Sequence, residues 1–350
     1  MEIGKWFTEG ILQNRVYIIA EISQNHDGSL GQAHAFIDAV AGTGVDAIKF
    51  QTHIAEAEST PDEPFRVKFS YEDKTRYDYW KRMEFTFGQW EELRRHAGEA
   101  GLDFLSSVFS VEAFEMLEAI GMPAWKLGSG EVYNKYLVEK MVKTGKPILL
   151  STGLSSYEDI DRQIELIRTN PYAVMQCTTA YPCPPEKIGL NVITDMRERY
   201  GCPIGLSDHS GTIFPSLAAV ANGALMIEVH VTMSSYMFGP DVKASVTIEQ
   251  LREMTEGIRM ITAMRNAPVD KASLNEEQRE LKRIFAKGIY LKQDVAKGES
   301  LTIDKVAFKK PLKGISGEHY EDALGKRAAK DLKKGEALQW SDLEGGSAAK

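Results

Sequence analysis

Cysteine is scarce in this chain: three of the 350 residues, Cys177, Cys183 and Cys202. Their odd number and their spacing argue against a disulfide framework and against a cysteine-based metal site, and they predict reduced thiols in a cytoplasmic protein. No apolar run approaches the ~20 residues of a membrane span. The first ten residues, MEIGKWFTEG, do not have the layout of a signal peptide.

Positive charge is also in deficit, with 42 Lys and Arg against 50 Asp and Glu and a net charge of −8. This balance argues against nucleic acid as the main partner. An anionic substrate would have to be met by local lysines rather than by a general field. With 43% hydrophobic and 26% charged residues, the chain has ordinary globular composition and ample material for a large core.

Short apolar runs alternate with amphipathic stretches between Val16 and about Met264. Eight candidate strands cover residues 16–22, 46–52, 102–108, 124–129, 147–152, 173–178, 203–208 and 225–231. Between them, apolar residues recur at three- and four-residue spacing, as on one face of a helix. Eight strand–helix units in series predict an α/β fold, a closed (β/α)8 TIM barrel over residues 1–265. An open doubly wound sheet uses the same alternation and remains an alternative.

Two segments depart from this alternation. Residues 53–84 are polar and rich in aromatics, and they predict a large loop at the carboxyl-terminal mouth of the barrel, where loops build active sites. Residues 266–285 are charged and predict a linker with a short helix. Residues 286–344 predict a small β-rich domain, and residues 345–350 a disordered tail.

Polar residues stand at the carboxyl end of nearly every predicted strand. A barrel interior is normally packed with branched apolar side chains, so packing alone does not account for them. Residues two apart on a strand point the same way, and Glu228 and His230 share a face for this reason. The candidates are Glu21, Lys49, Gln51, Ser106, Ser107, Lys126, Ser129, Glu131, Ser151, Thr179, Tyr181, Ser207, Asp208, His209, Glu228 and His230.

Two of these residues, Lys49 and Lys126, suggest an anion site. A buried lysine without a counter-charge is costly, and a phosphate or carboxylate would stabilise both, with nearby serine hydroxyls donating hydrogen bonds. The alternative is that each lysine pairs with a neighbouring Asp or Glu.

Histidines follow or end two neighbouring strands, at positions 209 and 230. Two imidazoles from adjacent strands can bind one divalent ion and leave positions open for water and substrate. Two hydrogen-bonded core histidines are the alternative. The other candidates, His26, His53, His96 and His319, are interpreted as packed or surface residues.

Seven short sequence motifs follow one another along the chain: IIAEISQNHDGS, DAIKFQT, WKLGSGE, ILLSTG, QCTTAYPCP, IGLSDHS and EVHVT…GPD. Together they resemble the sialic acid synthase family. The segment from 286 to 344 resembles that family's antifreeze-like (SAF) domain, so the resemblance covers almost the whole chain.

The resemblance implies a metal-dependent transferase that condenses phosphoenolpyruvate with an open-chain amino-sugar aldehyde. The product is a nonulosonic (sialic-acid-type) acid, and phosphate is lost by C–O cleavage. It also implies a homodimer in which the small domain of one subunit covers the barrel mouth of the other. The implied phosphoenolpyruvate site comprises Lys49, Ser107, Lys126, Ser129, Ser151, Thr179 and Ser207.

The same resemblance implies Mn²⁺ or Mg²⁺ on His209 and His230. The implied sugar-facing residues are Glu21, Gln51, Glu131, Tyr181, Asp241 and Lys310. Of these residues, Glu21 or Glu131 would position water. Lys49 and Lys126 would hold the substrate anion and offset its charge.

Three departures from the family pattern put the sugar in doubt. Thr179 stands where asparagine is often found, and Lys310 stands where the antifreeze-like domain usually has an arginine, whose planar fork lysine lacks. The strand-8 phrase reads EVHVT rather than E-x-HFT. The candidates are N-acetylmannosamine, a 2,4-diacetamido-trideoxyhexose and an unacetylated hexose.

Two other functions are alternatives. One is a Schiff-base aldolase on the same fold, with Lys126 or Lys49 as the nucleophile. The other is a non-catalytic carbohydrate- or ice-binding protein, although the carboxyl-terminal segment has no regular threonine array.

Overall fold

The computed structural model describes residues 1–346, so the last four residues of the predicted tail lie outside the described residues. The chain divides into two compact units, Met1–Pro268 and a second that begins at Val269.

The first unit contains a closed parallel barrel. Its strands are β1 (Tyr17–Ser23), β2 (Ala47–Thr52), β3 (Asp103–Val108), β4 (Trp125–Leu127), β5 (Ile148–Ser151), β6 (Tyr172–Cys177), β7 (Ile204–Asp208) and β8 (Met226–Thr232). Each strand pairs in parallel with its neighbours in chain order, and β1 pairs with β8. This closure confirms the predicted barrel and excludes the open sheet. A short strand, β9 (Ser245–Thr247), extends from β8.

Nearly all residues of these strands are buried on both faces. Parallel strands covered on both sides read as continuous apolar runs, such as Ile148–Leu150, because helices lie outside and packed side chains inside. The exceptions are the polar strand ends, which therefore carry the information about the site.

The helices of the first unit are α1 (Ile3–Lys5), α2 (Leu30–Ala41), α3 (Ala55–Glu58), α4 (Arg76–Met83), α5 (Phe87–Glu99), α6 (Val111–Ile120), α7 (Lys135–Lys143), α8 (Tyr157–Ile167), α9 (Leu190–Tyr200), α10 (Phe214–Ala221) and α11 (Ile248–Asn266). α1 precedes β1, and α3 and α4 belong to the long loop after β2. The other helices follow the strands and form the outer layer. Capping boxes begin α5, α8 and α11 at Thr86, Ser156 and Thr247. Gly121, with φ of 93°, ends α6 in the left-handed conformation that favours glycine.

An amino-terminal segment covers the opposite end of the barrel from the polar strand ends. Trp6 is fully buried, and its indole N–H donates to the Arg15 carbonyl at 2.7 Å. The Ile3 amide donates to Asp103 Oδ2 at 2.6 Å, at the first residue of β3. The amino-terminal ends of the strands are thus tied down by packing and hydrogen bonds.

The second unit contains α12 (Glu276–Phe285), the antiparallel pair β10 (Gly288–Leu291) and β11 (Val306–Lys309), and α13 (Tyr320–Ala323). It has a separate core: Ile289, Leu291, Val295, Leu301, Val306, Ile315, Ala323, Ala328, Leu332, Leu338 and Leu343. In α12 no residue is buried, and Leu281, Ile284 and Phe285 are exposed.

Candidate active site

A cavity of about 300 Å³ opens at the carboxyl ends of the barrel strands, and each of the eight strands contributes to its lining. It brings together nearly all of the predicted site residues. Those in its lining are Glu21, Lys49, Gln51, Ser107, Lys126, Ser129, Ser151, Thr179, Tyr181, Ser207, His209, His230 and Asp241. Of the other two, Glu131 follows the lining residue Gly130, and Lys310 belongs to the second unit. Their roles remain predictions.

The two lysines are paired with buried carboxylates. Lys49 hydrogen-bonds to Glu21, which lies directly opposite it in the register of β1 and β2. Lys126 Nζ donates to Glu228 Oε1 at 3.0 Å, and Glu228 Oε2 lies 3.8 Å from Lys49 Nζ. Each lysine thus has a carboxylate partner within the protein, as in the alternative interpretation: Glu21 lies on the strand beside Lys49, and Glu228 reaches Lys126 across the barrel interior. The anion site stays a prediction.

Burial and the neighbouring charges shift the pKa values of Glu21 and Glu228 in opposite directions. Burial raises the pKa of Glu21 to about 7, against the attraction of Lys49, and the neighbouring Glu228 charge adds to the rise. Burial also acts to raise the pKa of Glu228, but Lys126 and Lys49 outweigh it and lower that pKa. Glu21 therefore holds a proton more tightly than Glu228 does.

The hydroxyl groups around the lysines are already part of this network. Ser151 Oγ accepts a hydrogen bond from Lys126 Nζ at 2.6 Å, and Ser207 Oγ donates to Glu228 at 3.0 Å. The backbone amide of Gly153 donates to Ser129 Oγ at 3.0 Å. The two ammonium groups and the surrounding hydroxyl groups are the kinds of group that bind an anion.

The two histidines lie together, with ring centroids 5.0 Å apart. Burial lowers the pKa of both to about 3, so both imidazoles are neutral, which is the form that binds metals. His209 Nδ1 donates to the Thr178 carbonyl at 2.9 Å, which leaves the lone pair on Nε2, now 3.0 Å from the Tyr181 hydroxyl.

These two side chains fit part of a metal site. His230 Nδ1 is buried without a hydrogen-bond partner, and a carbonyl fixes the tautomer of His209 as in many metal centres. Within residues 1–346, no group of three or more His, Cys, Asp or Glu side chains is arranged to hold a metal. A bound ion would therefore take two protein ligands of these types and complete its shell with water or substrate.

The predicted sugar-facing residues belong to a second network. Gln51 Nε2 donates to Glu21 Oε1 at 3.1 Å, and Ser23 Oγ donates to Asp241 Oδ2 at 2.6 Å. Arg66, from the long loop after β2, stacks over the Tyr181 ring at 4.3 Å and lies 3.4 Å from Asp241. One arginine thus holds both Tyr181 and Asp241.

The remaining two predicted residues have other surroundings. Glu131 accepts from Asn134 Nδ2 at 3.2 Å, and burial raises its pKa. Lys310 lies in the second unit with its Nζ 5.2 Å from the centre of the Phe285 ring.

Sequence reasoning missed several residues of this site. Glu228 is among the polar strand-end candidates and shares a face with His230, but the sequence assigns it no role as the partner of Lys126. Arg66, Trp80 and Phe109 also line the cavity. Arg66 and Trp80 come from the long loop. Its aromatic and basic composition predicts a loop at the mouth of the barrel but does not show which of its side chains line the cavity.

Comparison with known proteins decides the family. A model described as the NeuB family matches residues 36–269, and a SAF domain model matches residues 286–344. The chain belongs to the NeuB family. The predicted resemblance and its carboxyl-terminal domain are thereby confirmed.

Two of the relatives of this NeuB-family chain are synthases of sialic-acid-type compounds. It is 32% identical to the N,N'-diacetyllegionaminic acid synthase of Campylobacter jejuni, over 93% of this chain and 99% of that protein. It is 32% identical to the N-acetylneuraminate-9-phosphate synthase of Homo sapiens, over 93% and 90%. The crystal structure of an N-acetylneuraminic acid synthetase from Leptospira borgpetersenii superposes with a TM-score of 0.68 and 29% identity, over 77% of this chain and 90% of that one.

Two further sequence predictions concern the cysteines and membrane-spanning segments. All three cysteines are free thiols. Among the described residues there is no helix with the length and apolar character needed to cross a membrane.

Proposed function

We propose that this protein condenses phosphoenolpyruvate with an open-chain amino-sugar aldehyde to form a nonulosonic acid and phosphate. The observation that carries the proposal is the convergence of Lys49, Lys126 and two neutral imidazoles in one cavity of a NeuB-family barrel. The lysines suit an anionic substrate, and the imidazoles suit a divalent cation. Synthases of sialic-acid-type sugars among the relatives support the same reaction.

Phosphoenolpyruvate would bind between the lysines. Lys126 and Ser151 are linked at 2.6 Å, so an anion near them meets an ammonium and a hydroxyl together. The accompanying hydroxyl groups are Ser107, Ser129, Thr179 and Ser207, of which Ser207 would have to turn its proton from Glu228 to the anion. Holding both anionic groups of the substrate fixes the direction of its enol carbon and offsets charge as it moves.

His209 and His230 would hold a divalent ion, Mn²⁺ or Mg²⁺. Such an ion polarises the oxygen of the aldehyde when bound. The protein's own contribution is to keep both rings neutral by burial and to orient His209 through the Thr178 carbonyl.

In the proposed reaction, C3 of phosphoenolpyruvate forms a bond to the aldehyde carbon, and the aldehyde oxygen takes up a proton to become a hydroxyl group. Water adds to C2 and passes a proton to a carboxylate. The bond between C2 and the bridging oxygen then breaks, phosphate leaves with that oxygen, and the C2 hydroxyl loses its proton to give the keto acid. Glu21 is the best-placed proton acceptor, because it lines the cavity and its pKa is raised to about 7.

A Schiff-base aldolase is less compatible with the geometry. A lysine nucleophile must lose its proton, whereas the carboxylates of Glu21 and Glu228 outweigh burial and raise the pKa of Lys49. Borohydride reduction in the presence of substrate should therefore trap no adduct on Lys49 or Lys126. A trapped adduct would replace the proposed reaction with the aldolase.

The sugar is an N-acetylated amino sugar or a related aldose, and the Arg66–Tyr181–Asp241 cluster would face it. The two relatives named above differ in their products, so their names do not choose among N-acetylmannosamine, a diacetamido-trideoxyhexose and an unacetylated hexose. We propose that Thr179 and Lys310 contribute to the choice.

We further propose a cytoplasmic homodimer with exchanged small domains. The free thiols suit a reducing compartment. The exposed apolar face of α12, formed by Leu281, Ile284 and Phe285, would be covered by a second copy. Size-exclusion chromatography with light scattering should give twice the chain mass, and a monomer would contradict the proposal.

The central experiment measures phosphate release from phosphoenolpyruvate with Mn²⁺ and a panel of the three candidate sugars, each with and without chelator. Release that requires one sugar and the metal supports the condensation and identifies the substrate. Phosphoenolpyruvate labelled with ¹⁸O at the bridging position should pass its label to phosphate, whereas label retained in the sugar acid would exclude C–O cleavage. Binding of a sugar without any release would favour the non-catalytic alternative.

Glu21→Gln tests the assigned proton acceptor. The amide keeps the volume and a hydrogen-bonding oxygen but cannot take a proton, so turnover should be abolished. Binding of Mn²⁺, followed by electron paramagnetic resonance, should persist because His209 and His230 are unchanged. A fully active variant would refute the assignment.

A further inference from the structure

His53 is the first residue after β2, and its ring lies between two aromatic side chains that line the cavity. The ring centroid is 3.9 Å from that of Trp80 with an interplanar angle of 14°, and 4.4 Å from that of Phe109 with an angle of 8°. This three-ring stack buries the imidazole and fixes its plane. The two ring nitrogens therefore point in set directions.

Each nitrogen of His53 meets a polar group. Nδ1 lies 2.5 Å from Oε1 of Glu58, the last residue of α3, and Nε2 lies 3.4 Å from Gln51 Oε1 in a longer contact. Both partners are acceptors, so both contacts are donated only by a ring that carries a proton on each nitrogen. Glu58 is itself buried with its second oxygen unpaired, which makes His53 its neutralising partner among the described residues.

The orientation of the Gln51 amide depends on the groups that face its oxygen. Its nitrogen donates to Glu21 Oε1 at 3.1 Å, so its oxygen must face the other way, towards His53 Nε2 and towards Gln24 Nε2 at 3.4 Å. A donor on the oxygen side prevents the amide from turning over. Contacts thus run without a break from Glu58 through His53 and Gln51 to Glu21.

The same pair also influences the second carboxyl group near the cavity. The pKa of Glu131 is raised by burial and, to a lesser extent, by the charge of Glu58. Glu58 thus acts through its charge on Glu131, one of the two residues predicted to position water.

We propose that Glu58 and His53 are positioning residues that hold the Gln51 amide in the orientation in which it meets Glu21 and the sugar. The inference rests on the proposed function for its kinetic consequence, but its structural content does not depend on turnover. Packing alone is the competing explanation for His53, and it requires only a flat ring at this position.

His53→Phe separates the two explanations, because phenylalanine keeps a ring between Trp80 and Phe109 and removes both nitrogens. We expect KM for the sugar to rise and kcat/KM for the sugar to fall by about tenfold or more, since misplaced binding groups have effects of this size. KM for phosphoenolpyruvate should stay within about twofold, because the lysines are untouched. Unchanged sugar kinetics would leave packing as the role of His53 and overturn the proposal.

Two further variants make the test robust. Glu58→Gln keeps the shape of the partner but removes the carboxylate that faces Nδ1 at 2.5 Å, so KM for the sugar should rise here too. This variant decides the question if His53→Phe does not fold. His34→Phe is the matched control: His34 also faces a carboxylate, Glu92 at 3.5 Å, but lies on α2 outside the cavity lining, so its kinetics should equal those of the wild type.

A crystal structure of His53→Phe provides the readout that does not need activity. The contact of 3.1 Å between Gln51 Nε2 and Glu21 Oε1 should be lost or reversed. If it is retained, the proposal fails even if the enzyme reaction is established. If the wild type releases no phosphate with any sugar, the proposed function fails, while this contact still decides the positioning role.

Discussion

The cavity has a floor and a rim that are held in place by different means. The floor consists of strand-end residues with their charges paired: Glu21, Lys49, Lys126, Glu228, His209 and His230, each less than 5% exposed. The rim consists of residues of the loop 65–69, Trp80 and Leu154. The Arg66 side chain in this rim is 41% exposed to solvent.

This difference separates two tasks. Adjacent strands fix the floor through backbone register, so its charges cannot drift apart, and such rigidity suits the reaction itself. The rim depends on side-chain stacking within one long loop, where sequence changes are tolerated more easily. Substitutions in the floor should then impair turnover with every sugar, whereas substitutions in the rim should change how a sugar is bound.

The largest effect is expected from Lys126→Met. Loss of one preorganised cation should reduce kcat/KM for phosphoenolpyruvate by about 10²–10³-fold. The change also leaves Glu228 short of its closest cation, at 3.0 Å, and removing one partner of a buried pair costs about 3–5 kcal/mol of unfolding free energy.

The double variant Lys126→Met/Glu228→Gln is the control for stability. Neutralising both partners should restore most of the unfolding free energy, measured by urea titration, without restoring phosphate release. Activity in either variant close to that of the wild type would show that the floor charges are structural only.

A smaller effect is expected where the floor meets its loops. A Cβ at Gly153 would lie 2.5 Å from Thr179 Oγ1, 2.8 Å from Ser129 Oγ and 2.9 Å from Cys177 Sγ, so Gly153→Ala must displace groups of the phosphoenolpyruvate site. We expect kcat/KM for phosphoenolpyruvate to fall by about 10–100-fold, as for displacements near 1 Å. Steady-state kinetics of Gly88→Ala are the matched control, because a Cβ there meets no atom within 4 Å and Gly88 lies on α5, outside the cavity lining. Equal kinetics for both variants would contradict the prediction.

In the rim, Arg66→Ala should raise KM for the sugar by about tenfold, equivalent to about 1.4 kcal/mol, and leave KM for phosphoenolpyruvate unchanged. The reason is that Tyr181 and Asp241 lose the group that holds both of them. Arg66→Lys should recover only part of the loss, because lysine cannot stack as a planar group. Arg162→Ala, which breaks an exposed ion pair on α8, should have wild-type kinetics. A larger change in the KM of phosphoenolpyruvate than of the sugar would erase the distinction between floor and rim.

The smallest effect concerns a buried group outside the cavity. Burial lowers the pKa of His26 to about 3, beside Phe85 at 4.9 Å between ring centroids. As the pH falls, the imidazole of residue 26 binds a proton in the unfolded chain before it does so in the folded protein. The contribution of the neutral His26 to the free energy of unfolding is therefore complete above about pH 6.5. It is lost as the pH falls towards 3, at about 1.4 kcal/mol per pH unit. The free energy of unfolding, measured by urea titration at pH 7, 6 and 5, should fall less steeply with decreasing pH in His26→Gln than in the wild type. His319→Gln, at a half-exposed position, should keep the wild-type slope.

Strand positions were well predicted from the sequence, because each barrel strand is a short apolar run between amphipathic segments. The observed β1, Tyr17–Ser23, differs by one residue at each end from the predicted 16–22. The largest difference is β4, Trp125–Leu127, where the predicted run extended through Ser129 into the turn that carries Gly130. Strand ends then identified most of the floor.

The pairing of the lysines could not be read in the same way. Lys49 and Glu21 are 28 residues apart, and Lys126 and Glu228 are 102 residues apart. Their contacts depend on which residues become opposite one another when the barrel closes. For His53, the sequence showed only an isolated histidine, whereas its stack with Trp80 and Phe109 exists once the long loop has folded over β2.

By itself, the sequence determined the barrel, its carboxyl-terminal domain, the family and the residue types at the mouth, because hydrophobic periodicity and ordered motifs are local properties. Only the tertiary structure decided that each lysine has its own carboxylate, that the pKa values of Glu21 and Glu228 shift in opposite directions, and that Arg66 contacts Tyr181 and Asp241 while His53 contacts Gln51. These properties arise from burial and from distances between residues remote in the chain, and neither is set until the sheet closes on itself.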